Sequence, residues 1–237
     1  MRKILVLSPH MDDAVLSCCD YLLNKKNKKS EVKIITIFTN FKSEVITSDA
    51  KRYLKKSGHE NIYDFEKERK KEDRNSLDFL GFKHEYWDFI DGGFRQFNKK
   101  NIYKNYNQLF SGRIHPKDKK IILKILEKLK KYKNDFDEIL IPLGIGKHAD
   151  HLIIKSCGEK VFNKNKINYY IDWPYAFKLK NWNLTQIFTI LKNKKWITFT
   201  SKKKKKALQL YKSQVKLLFG KKPLFYPEII SNHDSRE

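Results

Sequence analysis

Short apolar runs alternate along this chain with longer amphipathic stretches. Residues 3–8 (Lys-Ile-Leu-Val-Leu-Ser) read as a buried strand, and 13–25 as a helix that Asp12 or Asp13 can cap. Residues 32–39, rich in β-branched side chains, form a second strand. The polar, poorly periodic stretch 40–62 reads as a long loop over the strand ends. A helix follows at 64–81, ended by Gly81 and showing Leu77 and Leu80 on its apolar face. Then come a strand at 84–89, a Gly92-Gly93 turn and an aromatic loop to about residue 112. Residues 116–133 are a Lys/Leu/Ile helix that starts at a proline, 137–143 a strand, 149–162 a helix and 167–172 a strand. One or two short strands fall in 184–200. The Lys202–Lys206 run opens a helix reaching about Phe219, and periodicity fades after Pro223. Such alternation predicts an α/β fold with a mostly parallel sheet and helices on both faces. No linker divides it, so 1–237 reads as a single domain with the tail 223–237 loosely attached.

Composition narrows the class. Hydrophobic residues make up 40% of the 237, with 16 Phe, 12 Tyr and 4 Trp, which supports a packed core and excludes a mainly disordered chain. No apolar run approaches the ~20 residues of a membrane span. The first strand begins at once, with no signal peptide ahead of it, so the cytosol is the expected location. Cys18, Cys19 and Cys157 lack C-x-x-C spacing and fall among apolar helix positions, which reads as buried thiols. The net charge of +24 suggests nucleic acid at first. Its lysines are scattered rather than gathered into one stripe with interleaved aromatics, so a solvated surface is expected and no nucleic-acid partner. Attraction of an anionic small molecule remains compatible with that charge.

Chemistry concentrates in two places. Ser8-Pro9-His10-Met11-Asp12-Asp13 follows the first strand, and His148-Ala149-Asp150-His151 follows the strand at 137–143. In parallel sheets both would meet at the C-terminal edge, where ligands bind. His10, Asp13 and His151 supply the three His/carboxylate ligands of a hydrolytic zinc site and leave a position for water. Asp12 is then free to act as the base. His148, three residues before His151, can steady an oxyanion as imidazolium, with Asp150 behind it. The Gly144-Ile145-Gly146-Lys147 stretch lacks the spacing of a phosphate loop.

These two motifs resemble the signatures of the PIG-L/LmbE-like de-N-acetylases. Supporting segments are similar too: Arg69-Lys70-Lys71-Glu72-Asp73 with Leu80-Gly81, Asp91-Gly92-Gly93-Phe94-Arg95, Tyr170-Ile171-Asp172-Trp173-Pro174-Tyr175 and Tyr211-Lys212-Ser213-Gln214. The resemblance implies a Rossmann-like fold and zinc-dependent removal of acetyl from an N-acetylated amino sugar, with another divalent ion as the alternative cofactor. It carries metal ligation to His10, Asp13 and His151, the base to Asp12, and oxyanion or acid work to His148 backed by Asp150. Arg95, Asp172 and Tyr175 become candidates for holding the sugar. Met11 and Ala14 stand where the family pattern has Pro and Glu. Gly146 and Lys147 fill a stretch where some relatives carry an oxyanion-assisting tyrosine. An amidase on a non-sugar amide and a non-catalytic nucleic-acid binder are the competing readings.

Overall fold

The structure is a computed structural model and describes residues 1–178, 194–198, 200–219 and 227–232. At its centre lies a seven-stranded sheet. Five neighbouring strands run parallel: β3 (Lys83–Ile90), β2 (Glu31–Asn40), β1 (Lys3–Ser8), β6 (Glu138–Pro142) and β7 (Ile167–Tyr170). Next to β7 lies β9 (Glu228–Asn232), antiparallel to it, and β8 (Lys194–Thr198) pairs antiparallel with β9 at the edge. The sheet is thus mostly parallel, as the alternation predicts; the short strands β4 (Gln96–Phe97) and β5 (Lys100–Asn101) pair antiparallel apart from it, ahead of the single-turn α4 (Tyr106–Leu109).

β1 and β6 are apolar along their length because both of their faces are covered. Ile4, Val6 and Leu140 point into one core layer with α1 (Asp13–Asn27) and α3 (Ile62–Leu80). Leu5, Leu7, Ile139 and Ile141 point into the other, under α5 (Lys119–Lys130) and α6 (Ala149–Val161). The three cysteines are buried free thiols in these layers. Since β1 is flanked by β2 on one side and β6 on the other, the chain crosses over in opposite directions from it. That leaves a crevice at the C-terminal ends of β1 and β6. No helix among the described residues is long and apolar enough to cross a membrane.

Three expectations need correction. The stretch 40–62 is not all loop: it contains α2 (Ser48–Ser57), capped by Thr47, whose Oγ1 accepts from Ala50 N at 3.0 Å, and closed by Gly58 at φ 89°. Ala50 and Leu54 pack one turn apart on Met11, Phe65 and Phe94. Two apolar positions among lysines and serines leave too sparse a pattern to see in sequence. The predicted 202–219 helix is two helices, α8 (Lys202–Leu208) and α9 (Lys212–Phe219). The break lets Tyr211 Oη donate to Asp73 and Ser213 Oγ donate to Glu72, both at 2.6 Å, which fastens the pair to α3.

The third correction concerns the tail. Residues 228–232 are not loosely attached but form β9, inside the sheet between β7 and β8. The reason lies in α1, which kinks at Cys18 (φ −147°). The kink frees Leu16 O and the N–H of Asp20, and the C-terminal part of the chain satisfies both. Lys204 Nζ donates to Leu16 O at 2.7 Å, while Asp20 N and Tyr21 N donate to the Glu228 carboxylate at 2.8 and 2.9 Å. Lys204 and Glu228 pair with each other at 2.6 Å, both buried. Polar residues with buried partners thus look like solvated ones in the sequence. Of the elements expected in 184–200, the part before 194 lies outside the described residues, as do 223–226 and 233–237 of the tail.

Candidate active site

The turn after β1 holds its two aspartates away from capping duty. Ser8 does that work: its Oγ accepts from Ala14 N at 3.2 Å and donates to His10 O at 2.8 Å. Asp12 precedes α1 without a side-chain capping bond, at φ 119°, ψ −31°, a conformation that a non-glycine residue holds only when its surroundings enforce it. Asp13 Oδ2 accepts from His10 N at 2.8 Å, which fixes the carboxylate in the crevice.

Two histidines from distant parts of the chain face that oxygen. His10 Nδ1 lies 3.2 Å and His151 Nε2 3.3 Å from Asp13 Oδ2. Donors about 2.1 Å from one ion at tetrahedral angles stand about 3.4 Å apart, so this spacing suits a shared ion. His151 Nε2 is buried and has no hydrogen-bond partner, an arrangement an ion would resolve. A second group able to hold an ion, His10, His148 and Asp150, shares His10. Its carboxylate is already engaged by Arg95 Nη1 at 2.5 Å and by Gly92 N at 2.8 Å, so the first set fits better.

Behind each histidine of the first set stands a buried carboxylate. Asp172 Oδ1 lies 2.5 Å from His151 Nδ1, and Asp150 Oδ2 lies 3.1 Å from His10 Nε2. Such pairs fix ring orientation and tautomer for a metal ligand. Two sequence expectations change here. Asp172 is fully buried, its Oδ2 accepting from Gly144 N at 2.7 Å and Ile145 N at 3.1 Å, so it is not placed to touch a sugar. Asp150 orients His148 through its backbone, Asp150 N donating to His148 Nδ1 at 3.1 Å, while its carboxylate serves His10. Arg95 is a correction of the same kind. It is 4% exposed, ion-paired with Asp118 (3.0 Å) and Asp150, and donates to Ile90 O (3.1 Å), so it stands behind the cavity lining rather than facing a substrate.

His148 is the N-cap of α6 rather than a member of its first turn. Its Nδ1 accepts a backbone N–H, so its proton sits on Nε2. Burial takes its pKa well below the ordinary value, and the ring is neutral, not the imidazolium expected from sequence. In the metal-free protein burial also opposes the charge of His151, yet Asp13 and then Asp172 carry its pKa up to about 9. Burial opposes the charge of Asp13 as well, but His151 and His10 hold its carboxyl well below the usual range. Burial pushes Asp12 up to about 8 against the pull of Arg69.

Above these residues opens a cavity of about 250 Å³. His10, Asp12, Asp13, His148 and Tyr175 line its floor. Tyr53, Tyr106 and Phe110 form aromatic walls, and Arg52 and Lys56 stand on its α2 side. Of the residues put forward from sequence, His10, Asp12, Asp13, His148, His151 and Tyr175 come together here, whereas Arg95, Asp150 and Asp172 sit one layer behind. Sequence reasoning missed two others. Asp91, after β3, places Oδ2 3.4 Å from His10 Nε2. Arg69, buried on α3, lies 3.5 Å from Asp12 Oδ2 and donates to Met11 O at 2.7 Å. The segments carrying both matched the family pattern, but only folding shows that they converge on His10 and Asp12.

Fold and site together define an α/β protein with a His/Asp ion cradle in the crevice of a parallel sheet, beside a carboxyl able to move protons. Residues 5–162 match the GlcNAc-PI de-N-acetylase (PIG-L) family, and the chain belongs to that family. Membership supports a deacetylase activity. It is 25% identical over 243 residues to 2'-N-acetylparomamine deacetylase of Niallia circulans, covering 92% of this chain and 83% of that protein. The zinc-inhibited form of teicoplanin deacetylase superposes with a TM-score of 0.73 at 19% identity, over 98% of this chain and 99% of that one. A 4-carboxy-2-hydroxymuconate hydratase from Pseudomonas putida KT2440 also shares the fold, with a TM-score of 0.59 at 12% identity, over 100% and 98%. Fold alone therefore does not select the reaction; the site must.

Proposed function

We propose that this chain is a zinc-dependent hydrolase that removes acetyl from an N-acetylated amino sugar or sugar conjugate and releases acetate. The observation that carries the reading is the buried, unpartnered Nε2 of His151, set with Asp13 and His10 at ion-sharing distances next to Asp12. His10 Nδ1, Asp13 Oδ2 and His151 Nε2 would hold the ion. When bound there, zinc brings the pKa of water toward about 7 and polarises an acyl oxygen.

The chain's own groups account for the rest. Asp12, with its carboxyl held near neutrality and its position fixed by Arg69, takes a proton from the attacking water. His148 presents Nε2–H to the oxygen on which negative charge develops. A neutral His148 has no second proton to give, so Asp12 returns its proton to the departing amine. Substrate class rests on the cavity: aromatic walls suit the faces of a sugar ring, and Arg52 and Lys56 at its side suit an anionic conjugate such as a nucleotide sugar or glycan precursor. Acetate release is the test, across N-acetyl sugars, nucleotide sugars and acylated non-sugar amines, with metal analysis of the same preparation. Release from the sugars that is lost on chelation and regained with zinc is the expected result. Turnover confined to non-sugar amides, or full activity without metal, refutes the reading.

A further inference from the structure

Tyr175 opens α7 (Tyr175–Lys178), just beyond the C-terminal end of β7. Its ring touches both histidines of the second motif, edge-on to His151 with centroids 5.1 Å apart and tilted against His148 at 6.0 Å. Phe110 braces it from the cavity side at 5.6 Å. The ring reaches this position because residue 146 has no side chain. A Cβ on Gly146 would stand 2.3 Å from Tyr175 Cβ and 2.8 Å from Cγ, closer than any two such atoms can pack.

Tyr175 itself is half-buried, and the hydroxyls of the fully buried tyrosines are spoken for. Tyr170 Oη donates to Leu7 O at 2.9 Å, Tyr103 Oη to Asp118 at 2.7 Å and Tyr211 Oη to Asp73 at 2.6 Å. Tyr175 Oη has no hydrogen-bond partner among the described residues, and the side chain lines the cavity. A tyrosine hydroxyl held by packing alone on the floor of a reaction cavity is a donor without an acceptor. We propose that Tyr175 is a catalytic residue that donates a hydrogen bond to the acyl oxygen, opposite or beside the Nε2–H of His148. As water adds to the acyl carbon, the C–O bond forms and the carbonyl π pair moves onto that oxygen. The phenol holds the new charge without giving up its proton. The pair returns when the C–N bond breaks, and the amine takes its proton from Asp12. This inference rests on the deacetylase reading above.

The test uses the zinc-loaded full chain and the sugar substrate found by acetate release, comparing wild type with Tyr175→Phe, which keeps the ring packing. Losing one of two such donors lowers kcat by about 100-fold. KM and zinc content are expected to stay unchanged. Binding of a phosphonamidate analogue, tetrahedral where the acyl carbon would be, weakens by a similar factor. Gly146→Ala, which displaces the ring, lowers kcat in the wild type but adds little to Tyr175→Phe. Full kcat and unweakened analogue binding in Tyr175→Phe, in a preparation whose wild type is active, overturn this inference alone. Loss of zinc from Tyr175→Phe overturns it too, by giving Tyr175 a structural role. A wild type that deacetylates nothing in the panel overturns the deacetylase reading with it.

Discussion

Asp172→Asn is the most discriminating single change at this site. In the wild type Asp172 Oδ2 accepts from Gly144 N and Ile145 N, while Oδ1 faces His151 Nδ1 at 2.5 Å. Asparagine has one carbonyl oxygen, and two backbone N–H groups compete for it. An unsatisfied buried N–H costs about 1–3 kcal/mol, so the amide oxygen turns to Gly144 and Ile145. The amide NH2 then faces His151 Nδ1, which must become the acceptor, and the ring proton moves to Nε2. That nitrogen is the one left unpartnered for an ion. Disturbing a carboxylate behind a metal-bound histidine lowers affinity by about 10–100-fold, equivalent to about 1.4–2.8 kcal/mol at 1.4 kcal/mol per tenfold. Competition with a chromophoric chelator reads the zinc affinity, and a thermal melt of the metal-free form reads the fold. We expect the affinity to fall within that range while the melt moves little. Asp172→Ala orphans both N–H groups and is expected to lower the melt as well. Wild-type zinc affinity in a folded Asp172→Asn would refute the argument that Asp172 sets the His151 tautomer.

Three further outcomes are expected. Asp12→Ala keeps zinc and loses at least about 100-fold in kcat, the usual scale of general acid–base work, whereas His151→Ala loses zinc; metal analysis beside acetate release separates them, and a fully active Asp12→Ala removes the base assignment. Zinc affinity rises with pH from 6 toward about 9, because the raised pKa of His151 makes a proton compete for its nitrogen. The same shift stabilises the metal-free fold below the ordinary histidine pKa and is lost as pH climbs through about 9. Affinity that does not vary between pH 6 and 8 contradicts this. Lys204→Met leaves Glu228 buried without its counter-charge, and removing one partner of a buried pair costs about 3–5 kcal/mol. Urea denaturation would show it, and an unchanged midpoint would mean that β9 does not depend on the pair.

The mostly parallel sheet and the two chemical motifs were legible along the chain because buried parallel strands are short, continuous apolar runs and site residues follow them directly. β1, β2, β6 and α3 fall within a residue or two of expectation, and His10, Asp12, Asp13, His148 and His151 do meet at one sheet edge. α2 was illegible, since Ala50 and Leu54 are its only fully buried apolar residues, with Tyr53 partly buried beside them. β9 was hidden because Glu228 is charged, and only the kink in α1, far away in sequence, gives it partners.

Sequence by itself determined where along the chain the titratable side chains gather into motifs; the tertiary structure decided which of them face the cavity. Carboxylates at 150 and 172 and a guanidinium at 95 look the same on paper as those at 12 and 13. Folding put the first three behind the histidines, where Asp150 meets Arg95 and Gly92 N, Arg95 also meets Asp118, and Asp172 meets the N–H groups of Gly144 and Ile145, and left Asp12 and Asp13 in front. The physical reason is that a buried charge must have its partners, and those partners lie between 21 and 140 residues away from the motifs they support, a distance over which no local pattern reports.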